Sequence, residues 1–322
     1  MAAARTFRAD RGDARERLDL ALVRHLADLP EASRSQIQAW IEAGRVRVNG
    51  IAAVRPAARL ALGDEVEVAL SPPPPARPAM AAQELPLSVL FEDEHLLAID
   101  KPAGLVVHPS IGHREGTLIN ALLWRAREWG GDRRPGLVNR LDRGTSGVLL
   151  AAKTPAVHAA LARALRSRHA GKEYLAVVYG ATPFAKGRIE LKILRDPGDR
   201  RRMVASKAEG RDSVTLYERL AEGGGLTLLR CRLLTGRTHQ IRVHLKAQGL
   251  PVVGDPVYGE PHWKGIADPY LAARCRDFPR QALHARRLAF VHPATGAPLE
   301  IVAPVPDDMA GLLAAAGLPF GP

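Results

Sequence analysis

Apolar residues recur at two different spacings along this chain. Leucines at helical spacing in Arg17–Leu26 predict a helix, and Ser33–Ile41 predicts a second one, with Ser33 as its N-cap and Gly44 at its end. Arg45–Gly50 then alternates apolar and polar residues and finishes on Asn-Gly, which is typical of a strand before a tight turn. The N-terminal part therefore predicts a small helix–helix–strand unit.

The longer C-terminal part contains more strand-like segments than helical ones. Helices are predicted over Gly116–Trp129 and from Thr154-Pro155 to Gly171. Strands are predicted over Leu96–Asp100, Val148–Ala152, Tyr174–Tyr179, Arg188–Leu194, Ser213–Tyr217 and Leu226–Leu234. Because the strands do not alternate regularly with helices, the predicted fold class is α+β, with a central, mainly antiparallel sheet and flanking helices.

Four consecutive prolines separate these two parts. The stretch Ser71–Pro78 favours an extended polyproline spacer, because proline is excluded from helix interiors and from central strands. We therefore expect a small domain at residues 15–70, a proline-rich linker at 71–80 and a larger domain at 85–310.

The charge balance indicates a polyanionic partner. Lys and Arg number 46 against 34 acidic residues, which gives a net charge of +12. Nucleic acid fits this excess better than an anionic membrane, and a GC-rich genome that inflates arginine is the plainer alternative. Cys231 and Cys275 lie far apart, and we find neither an apolar signal core nor a run long enough to span a bilayer. We therefore expect a cytoplasmic protein without disulfides.

One carboxylate stands between two cations in a loop rich in glycine and hydroxyl residues. Asp142 lies between Arg140 and Arg143, and Gly144–Gly147 leads from it into a predicted buried strand. Such an acid suits an enzyme whose substrate carries phosphate, whereas a structural salt bridge is the plainer interpretation. Tyr174, at the start of another predicted strand, is a second candidate, with a core aromatic as the alternative.

The segment Thr235–Leu245 is predicted to turn into a short helix that Thr238 caps. Arg242 is expected on a polar face with His239 and Lys246, suited to gripping a carboxylate, although a surface arginine is the plainer interpretation. The histidines of this helix diverge around it, and no acid or cysteine completes a metal-ligand set. With no phosphate-cradling loop either, the sequence predicts neither a metal nor another cofactor.

Five blocks occur in order along the C-terminal part. They are Lys101–Pro109, Arg140–Gly147, Thr235–His244, Gly254–Gly259 and Arg280–Ala285. In these blocks the chain resembles the RluA-type pseudouridine synthases, over about residues 85–310. The resemblance implies the pseudouridine synthase fold, a cleft across its sheet, and the isomerisation of uridine to pseudouridine in RNA.

The resemblance also implies roles for individual residues. Asp142 matches the catalytic aspartate, and Arg242 matches the arginine that pairs with it. Tyr174 matches the tyrosine that packs against the target uracil, and Arg140 matches the arginine that enters the RNA helix as the uridine is flipped out. Asn139 is a departure, because the family usually has histidine there. Asn keeps hydrogen-bonding ability but does not titrate near neutral pH, so we expect a supporting role.

The N-terminal part resembles the alpha-L RNA-binding module of a small-subunit ribosomal protein. The resemblance covers about residues 15–70, and it makes Arg17, Arg34, Arg45 and Arg47 candidate RNA contacts. A solvated charged face explains these arginines equally well from the residues alone.

Together these features predict a monomeric, cofactor-free enzyme that converts specific uridines to pseudouridine in large-subunit (23S) ribosomal RNA after base flipping. Whether Asp142 adds to an electrophilic carbon or abstracts the sugar 2′ proton is left open. Two rivals remain: a non-catalytic RNA-binding or ribosome-assembly protein, and an N-glycosidase that leaves an abasic site.

Overall fold

The computed structural model describes residues 4–29, 32–70, 80–108, 115–131, 133–167, 170–199, 202–259 and 261–320. Contacts divide the chain into two compact units, Met1–Ala79 and Met80–Pro322. The predicted linker at residues 71–80 lies outside the described residues except for Met80, and the domain limits of 15–70 and 85–310 stay predictions. None of the described helices combines the length and the apolar character needed to cross a bilayer.

The N-terminal unit packs two helices on a small antiparallel sheet of strand order β1-β4-β2-β3. Its elements are β1 (Ala4–Arg8), α1 (Leu18–His25), α2 (Arg34–Glu42), β2 (Val46–Val48), β3 (Ile51–Ala52) and β4 (Glu65–Ala69). The predicted cap is confirmed, because the Ser33 hydroxyl accepts from the Gln36 backbone N–H. The predicted turn is also confirmed: Asn49 and Gly50 both have positive φ, at 52° and 80°, and join β2 to β3.

The C-terminal unit is built around one large sheet. Its strands are β5 (Ser88–Glu92), β6 (Leu96–Lys101), β7 (Gly136–Leu137), β8 (Ser146–Ala152), β9 (Gly171–Tyr179), β10 (Lys186–Glu190), β11 (Lys192–Arg195), β12 (Met203–Ser206), β13 (Val214–Gly223), β14 (Leu226–Leu233), β15 (Leu283–Val291) and β16 (Pro298–Val302). Its α-helices are α3 (Leu118–Arg125), α4 (Pro155–Arg166), α5 (Gln240–Ala247), α6 (Pro269–Arg276) and α7 (Asp307–Ala315), and short 3₁₀ helices span Ala126–Glu128 and His262–Gly265.

Within the described part of this unit, the large sheet has the strand order β10-β13-β14-β9-β15-β8-β6-β5, with β16 added to β15 and β7 to β8. Its pairs are antiparallel except β15 with β8, which run parallel. Strands β11 and β12 form a separate hairpin. The predicted α+β class with a mainly antiparallel sheet is confirmed.

Strand β8 shows why its sequence is apolar without alternation. Val148, Leu150 and Ala152 face one core cluster, whereas Leu149 and Ala151 face another on the opposite side of the sheet. Successive side chains of a strand point to opposite faces, so a strand covered on both sides is apolar at every position. The strand therefore gives the loop that precedes it a rigid, fully buried base.

Two sequence predictions about element ends were wrong. Helix α4 ends at Arg166 rather than at Gly171, which instead begins β9 and pairs with Ala289 of β15. The predicted strand Arg188–Leu194 is split at Leu191, because β10 pairs with β13 while β11 pairs with β12. In both cases the pairing partner, which is distant in sequence, decides where the element ends.

Candidate active site

Asp142 lies in the loop between β7 and β8, at residues 138–145. The loop closes on itself where the Thr145 backbone N–H donates to the Asp142 carbonyl over 3.0 Å. The Asp142 side chain is 27% exposed, so its carboxylate faces solvent at the base of a cleft. Neither flanking arginine pairs with it among the described contacts: Arg143 donates to the Gly104 carbonyl, and Arg140 is exposed.

Buried polar side chains from neighbouring elements hold this loop. The Lys101 ammonium is fully buried and donates to three carbonyls, including that of Arg143 at 3.1 Å. Arg280 donates to the Gly144 carbonyl at 3.1 Å, and the Gln281 amide donates to the Thr145 hydroxyl at 3.0 Å. Burial lowers the pKa of Lys101 to about 8, and the nearby Arg280 charge adds to the effect. These hydrogen bonds hold the loop at Arg143, Gly144 and Thr145.

Two glycines, one in the loop and one in β8, pack closely against neighbouring residues. Gly147 has a φ of 107°, and a Cβ there would overlap the backbone of Ala285 in the parallel strand β15. A Cβ on Gly144 would overlap the Gln281 side chain that holds Thr145. At Gly147 the obstacle is backbone and φ is positive, so only glycine allows this close approach to β15, whereas at Gly144 the obstacle is the end of a flexible side chain.

Arg242 extends from helix α5 to Asp142. Its Nη1 lies 2.7 Å from Asp142 Oδ2, while its Nε and Nη2 donate to Asp255 at 2.6 Å and 2.8 Å. Arg242 is nearly fully buried, so the plainer interpretation of a surface arginine was wrong. One guanidinium thus joins a buried carboxylate to a half-buried one.

The charges of this triad stabilise one another. Burial would lower the pKa of Arg242, but hydrogen bonds and charge from Asp255, and then from Asp142, raise it above its ordinary value. Burial would likewise raise the pKa of Asp255, but Arg242 holds it below its usual range. Arg242 therefore stays a fixed cation beside Asp142.

The start of α5 differs from its prediction. His239, rather than Thr238, occupies the N-cap position, with a left-handed backbone of φ 57° and ψ 18°. The turn is held instead by Gln240, whose side-chain oxygen accepts from the Thr235 hydroxyl and the Arg237 backbone N–H. His244 faces away from the cleft, with its ring nitrogens against Thr215 and Leu191.

Tyr174 lies on β9, opposite Cys231 of β14. It lines a small cavity of about 60 Å³ together with Asp142, Arg242 and His239. Burial raises the pKa of the Tyr174 phenol, and the charge of Asp142 adds to this effect. The ring is therefore a neutral, flat surface beside the carboxylate.

The small cavity opens into a wider basic cleft of about 670 Å³. The cationic residues that line it are Arg140, Arg166, Lys172 and Arg237. Such a rim suits a ligand with several phosphates. Arg140 thus stands at the mouth of the site, while Arg242 stands at its floor.

Asn139 fastens the loop to strand β8. Its amide donates to the Val148 carbonyl at 3.2 Å, and its side-chain oxygen accepts from the Leu150 backbone N–H at 2.8 Å. The side chain thus acts like a short piece of neighbouring strand. This geometry supports the loop without a titrating group.

The N-terminal arginines fall into two groups. Arg17 and Arg34 both bond to the fully buried carboxylate of Asp19, at 2.9 Å and 3.3 Å. Arg45 and Arg47 are exposed on and beside β2. The first pair stabilises the unit, and the second pair is presented to solvent.

The sequence interpretation gave no role to four residues of this site. They are Lys101, Asp255, Arg280 and Gln281. All four lie in the blocks that carry the family resemblance, and that placement was the available signal. Their partners are distant in sequence, so spacing alone could not reveal the contacts.

Comparisons with known proteins show the family of the chain. Residues 95–247 match the model of the RNA pseudouridylate synthase family, and residues 16–66 match that of the S4 domain. Together with the relatives described next, these matches show that the chain belongs to the RNA pseudouridylate synthase family. It is an RNA pseudouridine synthase with an N-terminal S4 domain, which confirms both resemblances seen in the sequence.

The relatives cover nearly the whole chain. It is 46% identical over 295 residues to Ribosomal large subunit pseudouridine synthase D of Xanthomonas campestris pv. campestris, covering 90% of this chain and 87% of the relative. The protein of the same name from Xylella fastidiosa is 47% identical over 293 residues, with the same coverage of 90% and 87%. The solved structure of Human RNA Pseudouridylate Synthase Domain Containing 1 shares the fold, with a TM-score of 0.54 and 26% identity over 75% of this chain and 98% of that one.

Proposed function

We propose that this protein converts specific uridines to pseudouridine in large-subunit ribosomal RNA, with Asp142 as the reacting carboxylate. One observation carries the proposal: Arg242, held by Asp255, lies 2.7 Å from Asp142 at the floor of a basic cleft, beside Tyr174. The names of the curated relatives supply the ribosomal substrate.

The reaction needs no redox change. The N1–C1′ bond breaks, the base turns, and C5 joins C1′, while C5 loses a proton and N1 gains one. A carboxylate begins this sequence either by adding to an electrophilic carbon or by taking the sugar 2′ proton. In either route Arg242 compensates the charge of Asp142 and holds its Oδ2, so the group is oriented before substrate arrives.

The uridine is proposed to reach Asp142 by leaving its base stack. Extrusion costs a few kcal/mol, less in a loop, and stacking on Tyr174 returns about 1–3 kcal/mol. Arg140, exposed at the mouth of the cleft, is placed to occupy the gap and to neutralise nearby phosphate. We further propose that the enzyme acts as a monomer in the cytoplasm, with Arg45 and Arg47 of its S4 domain on the RNA.

Tritium release tests this assignment. RNA labelled with tritium at uridine C5 should release label with the wild-type protein and not with Asp142→Asn. Asp277→Asn, at an exposed ion pair with Arg276, is the matched control and should release label normally. Release by Asp142→Asn at the wild-type rate contradicts the assignment, and free uracil among the products would identify an N-glycosidase instead.

A further inference from the structure

His239 stands between Tyr258 and the carboxylate of Asp142. Its Nδ1 lies 2.8 Å from the Tyr258 hydroxyl, and its Nε2 lies 3.8 Å from Asp142 Oδ2. Its side chain is 18% exposed and lines the same small cavity as Tyr174. His239 has a left-handed backbone at this N-cap position, and its side chain makes no capping hydrogen bond to the helix.

The hydrogen bonds around Tyr258 favour one tautomer of His239. The Met203 backbone N–H at the start of β12 donates to the Tyr258 oxygen over 2.8 Å. Among the described residues, the other partner of that oxygen is His239 Nδ1. The Met203 N–H, the Tyr258 hydroxyl and His239 Nδ1 all have a hydrogen-bond partner when the hydroxyl donates its single proton to Nδ1. The proton of the neutral histidine ring is then on Nε2. The N–H of the ring then points toward Asp142.

Three charged groups face the ring, and the balance between them and burial keeps it neutral. They are Asp142, Arg242 and Asp255. Burial lowers the pKa of His239, and the charge of Arg242 adds to this, which together outweigh the opposite effect of the two carboxylates. Burial also raises the pKa of Tyr258, so its hydroxyl keeps the proton that it donates.

We propose that His239 is a positioning residue that presents Nε2–H to Asp142 as a second, fixed donor beside Arg242. The inference rests on the proposed function, because it concerns the orientation of the same carboxylate. A shift of Asp142 by about 1 Å brings the pair within hydrogen-bond distance. The donor then keeps the carboxylate directed into the cavity as its charge changes during the reaction.

Two substitutions separate this role from a purely structural one. In His239→Asn the side-chain oxygen falls near the position of Nδ1, so the bond to Tyr258 and the left-handed backbone are kept while the donor toward Asp142 is lost. In His239→Gln the amide N–H falls near the position of Nε2, so the donor is restored, although the backbone is less favourable for Gln.

The order of the two variants in steady-state tritium release should therefore be the opposite of their order in stability. We expect kcat to fall about tenfold in His239→Asn with KM unchanged, and to recover to within about threefold of wild type in His239→Gln. A structural role predicts the reverse order, since Asn better tolerates the left-handed backbone. His239→Asn at least as active as His239→Gln overturns the proposal.

The tautomer is measured independently by NMR of the full-length protein with ¹⁵N-labelled histidine, using His239→Asn to assign the signal. We expect a neutral ring protonated at Nε2 at neutral pH, and loss of this single tautomer in Tyr258→Phe. A ring protonated at Nδ1 in the wild-type protein contradicts the proposal. The NMR result does not depend on catalysis, so it stays interpretable even if Asp142→Asn proves active and the proposed function fails.

Discussion

Asp255→Asn is the substitution that tests most sharply how the site is built. Asp255 is fully buried and accepts four hydrogen bonds, from Arg242 Nε and Nη2 and from the backbone N–H groups of Val257 and Tyr258. An Asn oxygen can replace Oδ1 and keep three of these bonds. Its amide group then stands where Oδ2 was, facing the Arg242 Nε–H across 2.6 Å, donor against donor.

The expected loss of stability follows from this arrangement. Among the described residues, the buried Arg242 cation would keep only Asp142, which is 27% exposed, as its charge partner. Removing one partner of a buried ion pair typically costs about 3–5 kcal/mol, because the charge left behind is poorly compensated. We therefore expect Asp255→Asn to lower the free energy of unfolding by about that amount, and to reduce activity because Arg242 no longer holds a fixed position.

The effect also has a defined pH dependence. The pKa of Asp255 in the folded protein lies below its ordinary value of 3.8, so its stabilisation is present above that value and is lost as the pH falls through the folded pKa. Because the variant has no such carboxylate, the difference between it and the wild type should shrink in acid.

Urea denaturation of the full chain at pH 7 and below pH 3.8, with tritium release on the folded protein, measures both effects. Asp277→Asn is the control, because its carboxylate pairs with Arg276 at the surface and should leave the unfolding midpoint nearly unchanged. An Asp255→Asn protein with wild-type midpoint and wild-type activity would refute the idea that Asp255 anchors the site.

Three further predictions concern other parts of the molecule. Tyr174→Ala should raise KM for RNA about tenfold, because stacking contributes about 1–3 kcal/mol. The pH–rate profile of the wild-type protein should show no ionisation of the Tyr174 phenol near pH 10, since burial raises its pKa. Gly147→Ala should reduce the folded yield, because its Cβ would overlap the neighbouring strand, whereas Gly236→Ala, with open space around its Cβ, should fold normally. Arg45→Ala and Arg47→Ala should each lower the slope of RNA affinity against salt by about 1 without changing the unfolding midpoint.

Local signals predicted the elements well. The Ser33 cap, the Asn49-Gly50 turn and the buried strand after the Asp142 loop depend on residues that are neighbours in sequence. Element ends were less predictable. Helix α4 ends before Gly171 because that glycine is taken into β9 by its pairing with β15, a strand more than a hundred residues away.

Local sequence could single out candidate site residues but not their partners. Asp142, Arg242 and Tyr174 were candidates from their local sequence, the family resemblance implied roles for them and for Arg140, and those roles stay predictions. The paired hydrogen bonds between Arg242 and Asp255 were not predicted, because they form only when α5 packs against the segment that follows it in the chain and contains Asp255. The left-handed backbone of His239 was not predicted either, since Thr238 is the residue type that more often caps a helix.

The central claim is tested most directly by mapping pseudouridines across ribosomal RNA at single-nucleotide resolution. The cells compared should carry the wild-type gene, a deletion, or a stably expressed Asp142→Asn allele. We predict that defined large-subunit positions lose pseudouridine in the deletion, regain it with the wild-type gene, and stay unmodified with Asp142→Asn. Large-subunit positions that are unchanged by the deletion, or restored by Asp142→Asn, would contradict the account.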